Sequence, residues 1–257
     1  MKKLVLHTHT GLGDHIITNG MAHSFAEDYD IVYVPHIKMF GESIRALYKD
    51  YPNIQTVELP DIDINLRGRH LIQQIVEENS AEYVGICDPH LVYPRRLVFD
   101  KDGKLQWTHV ATNFDRQFYE LAGMHFSVRY THCRIPESTE TSKALCDKLT
   151  NGKDYILVHN TSSQSSGYEL TINNSNNLPI VEIKPGLTNN VFDFVDLIKN
   201  AKEIHVVGSF FQCLVDSMFD KTSAYLNFHN IMMKHDTQLN CGWNDNRWNI
   251  IEYERKY

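Results

Sequence analysis

Asp14 and His15 follow a pair of glycines, Gly11 and Gly13, inside the stretch LVLHTHTGLGDHIITNGMAHSFA that runs from Leu4 to Ala26. A carboxylate beside an open glycine loop can take a proton from a hydroxyl, and the histidine next to it is a second base whose ordinary pKa suits that work. The two glycines permit a tight turn and let another group come close to the backbone. Far along the chain, His159-Asn160-Thr161-Ser162-Ser163 opens a run of small polar residues that ends at Gly167, and Gly208-Ser209-Phe210 separates an apolar run from a helical pattern. Hydroxyls, amides and free backbone N–H groups of this kind suit an anion with a polar body, such as a nucleotide diphosphate. Lys184, in the turn Lys184-Pro185-Gly186, could pair with a phosphate. Each residue also has a plainer use: Asp14 and Ser209 as helix caps, Ser162 and Ser163 as solvated loop, Lys184 as surface, Phe210 and Phe211 as core.

Familiar phosphate loops do not fit the first stretch. No Lys-Ser or Lys-Thr follows the glycines, as a P-loop requires, and Ile16 stands where the dinucleotide fingerprint needs its third glycine. An acidic Asp14 would also repel a pyrophosphate lying on the same helix, so the phosphates are expected on the second half of the chain. Asp61-Ile62-Asp63 is a D-x-D, the metal-binding signature of GT-A glycosyltransferases, but it follows Pro60 early in the chain. His7-Thr8-His9 leaves a strand for a loop and reads more simply as polar loop than as a metal pair. The five cysteines are scattered without a C-x-x-C, which suggests reduced thiols in the cytoplasm and no structural zinc. A net charge of −7 disfavours nonspecific nucleic-acid binding. Lys2-Lys3 precede too short an apolar run for a signal peptide, and no run has transmembrane length.

The elements that would position these residues alternate. Leu4–Leu6 predicts a strand, and a helix follows with Asp14 at or near its N-cap and Ile16, Ile17, Met21, Ala22 and Phe25 inward. Strands are expected at Asp30–Val34, Ile54–Leu59 and Ala81–Cys87, with helices at Met39–Tyr48 and within Gly68–Asn79. Such alternation implies a parallel sheet with right-handed crossovers. Asp100-Lys-Asp-Gly103 suggests a hairpin; a helix at Thr112–Ala122 has Phe114, Phe118 and Leu121 inward, and Val128–Ile135 reads as an extended connection. Ser138 opens a helix that Asn151-Gly152 ends. A second unit then starts as the first did, with strands at Tyr155–Val158, Leu178–Ile183, Ile204–Val207 and a last one at Tyr225–Phe228, and helices at Asn190–Asn200 and Phe210–Phe219. The boundary falls at Asn151: residues 1–150 form an acceptor-side unit, and 151–257 a donor-binding unit. The tail after Asn240, with Trp243 and Trp248, is expected to fold back on the first unit.

With these pieces in place, the chain resembles GT-B-fold glycosyltransferases, nearest in outline to the heptosyltransferase-like group. The resemblance rests on Gly11-Leu12-Gly13-Asp14 after the first strand, and on Val191–Ala201 followed by Glu203-Ile-His-Val-Val-Gly-Ser-Phe210. It implies an α/β fold of two Rossmann-like domains facing across a cleft. It also implies an enzyme that transfers a hexose or pentose from a nucleotide sugar to a glycan acceptor, inverting and without a metal or other cofactor. Asp14 is then the base, with His15 as the other candidate. The donor would lie against Gly11, Gly13, the His159–Ser163 loop, Lys184, Gly208, Ser209 and Phe210. Gly208-Ser209-Phe210 and Cys213 replace the group's usual D-[ST]-G and later histidine, and no lysine follows Val158, which points away from heptose. Small transferases of this layout also serve phages, large viruses and bacterial surface-glycan clusters. A non-catalytic nucleotide- or sugar-binding protein, a sugar-phosphate epimerase and a metal-dependent GT-A-type enzyme using Asp61 and Asp63 are the competing readings.

Overall fold

A computed structural model describes residues 1–8, 11–60, 68–86, 95–99, 105–109, 114–162, 167–231 and 247–253. Asp61, Asp63, His9 and Ser163 lie outside these residues, as do Cys87, Cys241 and Trp243.

The first unit is built from β1 (Lys3–His7), α1 (Leu12–Ile17), α2 (Asn19–Asp28), β2 (Ile31–Ile37), α3 (Gly41–Tyr48), β3 (Ile54–Leu59), α4 (Gly68–Asn79) and β4 (Glu82–Gly85). Its strands are parallel in the order β3-β2-β1-β4. Leu4, Val5 and Leu6 are all buried because β1 is central and covered on both faces, which is why it reads as an unbroken apolar run. The expected hairpin is present as β5 (Arg95–Phe99) and β6 (Leu105–His109), antiparallel. Helix α5 (Phe114–Leu121) follows. Val128–Ile135, expected to be extended, instead begins with a short helix, α6 (Val128–Thr131).

Next come α7 (Glu140–Thr150), β7 (Ile156–His159), β8 (Ile180–Glu182), a 3₁₀ turn at Val191–Phe194 running into α8 (Val195–Asn200), β9 (Glu203–Val206), α9 (Phe210–Ser217), β10 (Tyr225–Asn230) and β11 (Trp248–Glu252). The second sheet is also parallel, in the order β8-β7-β9-β10-β11. Thr139, not Ser138, caps α7: its hydroxyl accepts from Ser142 N–H, and Ser142 Oγ accepts from Thr139 N–H in return. The Ser138 and Ser142 hydroxyls both donate to the Asp196 carboxylate on α8. Helix α7 therefore precedes Asn151 in sequence yet is fastened to the second unit. The chain end also departs from expectation. Trp248–Glu252 does not return to the first unit but adds a fifth strand beside β10, with Asn249 donating to Asn227 and Tyr253 bonded to His229.

The two units share one continuous core, and a buried ionic cluster joins them. Arg129 on α6 donates to Asp115 on α5 and, at 2.7 Å, to Asp216 on α9. Tyr130 Oη and Trp248 Nε1 also donate to Asp216, each at 3.1 Å. All three charged side chains are at most 1% exposed. Two carboxylates against one guanidinium are tolerable in a dry interior only because these extra donors satisfy Asp216. At Gly20 on α2, an added Cβ would lie 2.4 Å from the Val128 carbonyl oxygen, so only glycine lets α2 pass so close to α6. Ser43 on α3 donates to Asn189 O and accepts from Val191 N–H, a third tie between the units.

Replacing Arg129 with Met is expected to cost about 3–5 kcal/mol, because it leaves buried carboxylates uncompensated. Removing the exposed Arg45–Glu58 pair with Arg45→Ala should cost less than about 1 kcal/mol. Urea unfolding of both variants beside the parent chain measures the two costs.

Candidate functional site

Each sheet has one place where the strand order reverses, and ligands of open α/β sheets sit outside the carboxyl ends of strands at such points. In the first sheet the reversal lies between β1 and β4, beside the loop from β1 to α1. In the second it lies between β7 and β9, whose carboxyl ends carry His159 and the Gly208-Ser209 turn. The two positions face each other. A Cβ built on Gly13 would lie 3.3 Å from Phe210 Cα and 3.4 Å from Cys213 Sγ, so the first turn of α1 rests directly on the first turn of α9. Gly13 lets the helices meet, a use for glycine that lies between the two units.

On the α1 side, Gly11 rather than Asp14 is the N-cap, and Asp14 is the third helical residue. Its carboxylate folds back to accept the Gly11 N–H, the half of a capping box that an acid at this position supplies. A side chain at Gly11 would strike it, since a Cβ there would be 2.6 Å from Asp14 Oδ2. Asp14 is half-buried, and burial pushes its carboxyl up to about 7 despite the Gly11 bond, which lowers it. It is thus poised to exchange a proton near neutrality. His15, the other candidate base, points inward: it is fully buried and burial drives its imidazole down to about 3. Neither ring nitrogen has a hydrogen-bond partner. Of the two candidate bases, only Asp14 keeps part of its side chain in contact with solvent.

On the α9 side, His159 is the centre of a small network. Its ring stacks on Phe211 at 4.8 Å and 11° and meets the edge of Phe210 at 5.3 Å and 76°. Ser209 Oγ donates to Val207 O at 3.3 Å and accepts from His159 Nδ1 at 3.2 Å; His159 Nε2 accepts from Thr161 Oγ1 at 3.3 Å. The network is satisfied by one neutral tautomer, and burial lowers the imidazole to about 4, so it stays neutral. With its hydroxyl engaged there, Ser209 sits at the N-cap of α9 without capping it through its side chain.

The remaining residues divide. Asn160 faces away from the cleft network, closing its own loop by donating to Tyr168 O and accepting the Tyr168 N–H. Ser162 is within the described residues at the loop's start, and Gly208 forms the turn before Ser209. Lys184 is well exposed and paired with Glu182 at 3.4 Å. The structure therefore brings Gly13, His159, Thr161, Ser209 and Phe210 together, keeps Asp14 one residue from the contact, and leaves Lys184 in a surface ion pair. The contribution of Cys213 to the seam with Gly13 had no signal in the sequence, because nothing local links residues 200 apart.

No protein-family profile matches the sequence, and neither does any curated protein. Two solved structures are similar in fold. A glycosyl transferase family 9 structure from Veillonella parvula is 10% identical, with a TM-score of 0.57 over 98% of this chain and 86% of that one. The ADP-heptose LPS heptosyltransferase II of E. coli is 11% identical, with a TM-score of 0.48 over 98% of this chain and 90% of that one. The fold is α/β, with two Rossmann-like domains in the GT-B arrangement. No helix among the described residues is long and apolar enough to cross a membrane.

The raised pKa of Asp14 has a stability consequence of definite sign. A carboxyl whose folded-state pKa lies above its ordinary value is most favourable to folding when protonated, and that contribution is lost as pH rises from about 4 through about 7. The Asp14→Asn variant should therefore gain in melting temperature relative to the parent across that range, with a constant gap above it. Melting curves of both proteins from pH 4 to 8 measure this.

Proposed function

We propose that this chain is a glycosyltransferase. It takes a sugar from a nucleotide-diphosphate donor held by the second domain and passes it to a hydroxyl of a glycan acceptor at the first. The observation that carries the reading is the seam at Gly13 and Phe210. It sets a carboxylate with a pKa of about 7 beside the first turn of α9, at two facing switch points. The fold shared with a glycosyl transferase family 9 structure supports the same class.

In this reading Asp14 takes the proton of the acceptor hydroxyl as that oxygen bonds to the anomeric carbon. The bond from that carbon to the diphosphate breaks on the opposite face, which inverts the configuration, and the nucleoside diphosphate carries away the electron pair. The charge growing on it is met by the N–H groups at the start of α9, with no metal required. Neutral His159 holds Ser209 and Thr161 in place without adding charge. Gly11 leaves the space into which the Asp14 carboxylate folds. Cys133, Cys146 and Cys213 are free thiols, which fits a reducing compartment such as the cytoplasm.

The test is a melting-temperature panel of UDP, GDP, CDP, ADP and their sugars, with and without Mg²⁺ or Mn²⁺, followed by transfer assays. A nucleotide that binds the native state raises the melting temperature by mass action. One diphosphate is expected to do so without metal. Asp14→Asn should keep that binding and lose roughly 10²–10⁴-fold in kcat, and the parent rate should rise with pH through about 7. A shift that needs Mn²⁺ would move the chemistry to Asp61 and Asp63. Stabilisation without turnover would make the chain a binding protein, and turnover of the nucleotide sugar without acceptor would make it an epimerase. No shift with any nucleotide would overturn the proposal.

A further inference from the structure

Helix α9 begins at the cleft, and its other end, about 10 Å away at ~1.5 Å per residue, borders a separate cavity. This cavity has a volume of about 200 Å³ and lies between the carboxyl ends of α6 and α9. That is smaller than the roughly 300–1,000 Å³ that holds a drug-sized ligand, so it has room for a single ring and not for a nucleotide. We propose that it is a second binding site, one that takes a neutral saccharide ring.

Two of its walls are aromatic: Tyr130 and Phe219, set edge to face at 5.6 Å and 88°. The Tyr130 hydroxyl is committed to Asp216, so that residue offers its ring. In the floor, Ser217 is only 7% exposed and its Oγ has no hydrogen-bond partner of normal geometry. Its one bond among the described residues is to the Cys133 thiol, and a thiol is a weak partner that leaves most of the hydroxyl's hydrogen-bonding capacity unused. A buried hydroxyl paired only with a thiol is poorly satisfied, and a ligand hydroxyl would be a stronger partner. At the rim, Asp220 is exposed and carries no ion pair or side-chain hydrogen bond among the described residues, so its carboxylate is available to accept from a ligand.

The charges around the cavity select against ions of either sign. Arg129 lies between Asp115 and Asp216, and Lys221 at the rim is paired with Glu137 at 3.0 Å, so neither cation is left over to hold an anion. Among the described residues, Asp220 is the one carboxylate lining the cavity, and a single exposed carboxylate holds a cation weakly. What remains is a neutral molecule with an apolar face for the aromatic walls and hydroxyls for Ser217 and Asp220. A sugar ring has both. The site does not depend on the transfer reaction proposed above.

The experiment is saturation-transfer NMR and titration of the whole chain with methyl glycosides of hexoses, 6-deoxyhexoses and N-acetylhexosamines, with choline and inorganic phosphate as charged comparators. At least one glycoside should bind, and neither charged probe should displace it. Asp220→Asn and Ser217→Ala, changes at an exposed carboxylate and a single hydroxyl, should each weaken binding roughly tenfold. Both should leave the melting temperature near that of the parent. The proposal is overturned if no glycoside binds, if choline or phosphate binds in its place, or if both variants bind as the parent does. Nucleotide-induced melting shifts report on the cleft alone, so failure of one reading is distinguishable from failure of the other.

Discussion

The structure depends on a guanidinium buried between two carboxylates. Arg129 reaches Asp115 and Asp216, and Asp216 also accepts from Tyr130 and Trp248. These five side chains come from α5, α6, α9 and β11, so one cluster fixes the connection between the units, the helix that borders the cleft, and the final strand. Buried charge is expensive, and the cluster survives because each member satisfies another. The cost of disturbing any one member makes the arrangement specific: α9 can hold Asp216 in this network only in one orientation, and that orientation sets Phe210 against Gly13.

Close approach of backbones completes the design. Gly20 lets α2 pass under α6, and Gly13 lets α1 rest on α9. A Cβ at Gly20 would strike the Val128 carbonyl, and one at Gly13 would press on Phe210 Cα. The facing of the two domains is therefore a packed interface with a continuous core. Asp14 gains its raised pKa from this enclosure: an exposed carboxylate at the same helical position would titrate in its usual range.

Much of this was legible in the chain. The apolar run of β1, the β-branched runs of β2 and β7, and the helical spacing of Ile16, Ile17 and Met21 predict their elements because burial on a sheet or a helix face imposes those periods directly. The Ser209 turn is a local feature and stands where expected, whereas Gly13, expected in a loop, lies within α1. Misreadings fell where a distant partner decides. Thr139 caps α7 because Ser138 is drawn to Asp196, and Trp248 joins the second sheet because its indole meets Asp216. Val128–Thr131 turns helical where Arg129 must reach two carboxylates.

The sequence by itself determined the α/β class, the parallel strands, the two loops rich in chemistry and the acid next to the glycines. These follow from periodicity, propensity and turn residues that act within a few positions. Tertiary structure alone decided that His15 is fully buried while Asp14 stays half-buried, that Gly13 serves a helix seam, and that Lys184 stands in a surface pair. It also made His159 a neutral, stacked partner of Ser209. Each of these depends on which residues far apart in the chain come within a few ångströms. That is set by packing of whole helices and sheets, and neighbouring residues carry no record of it.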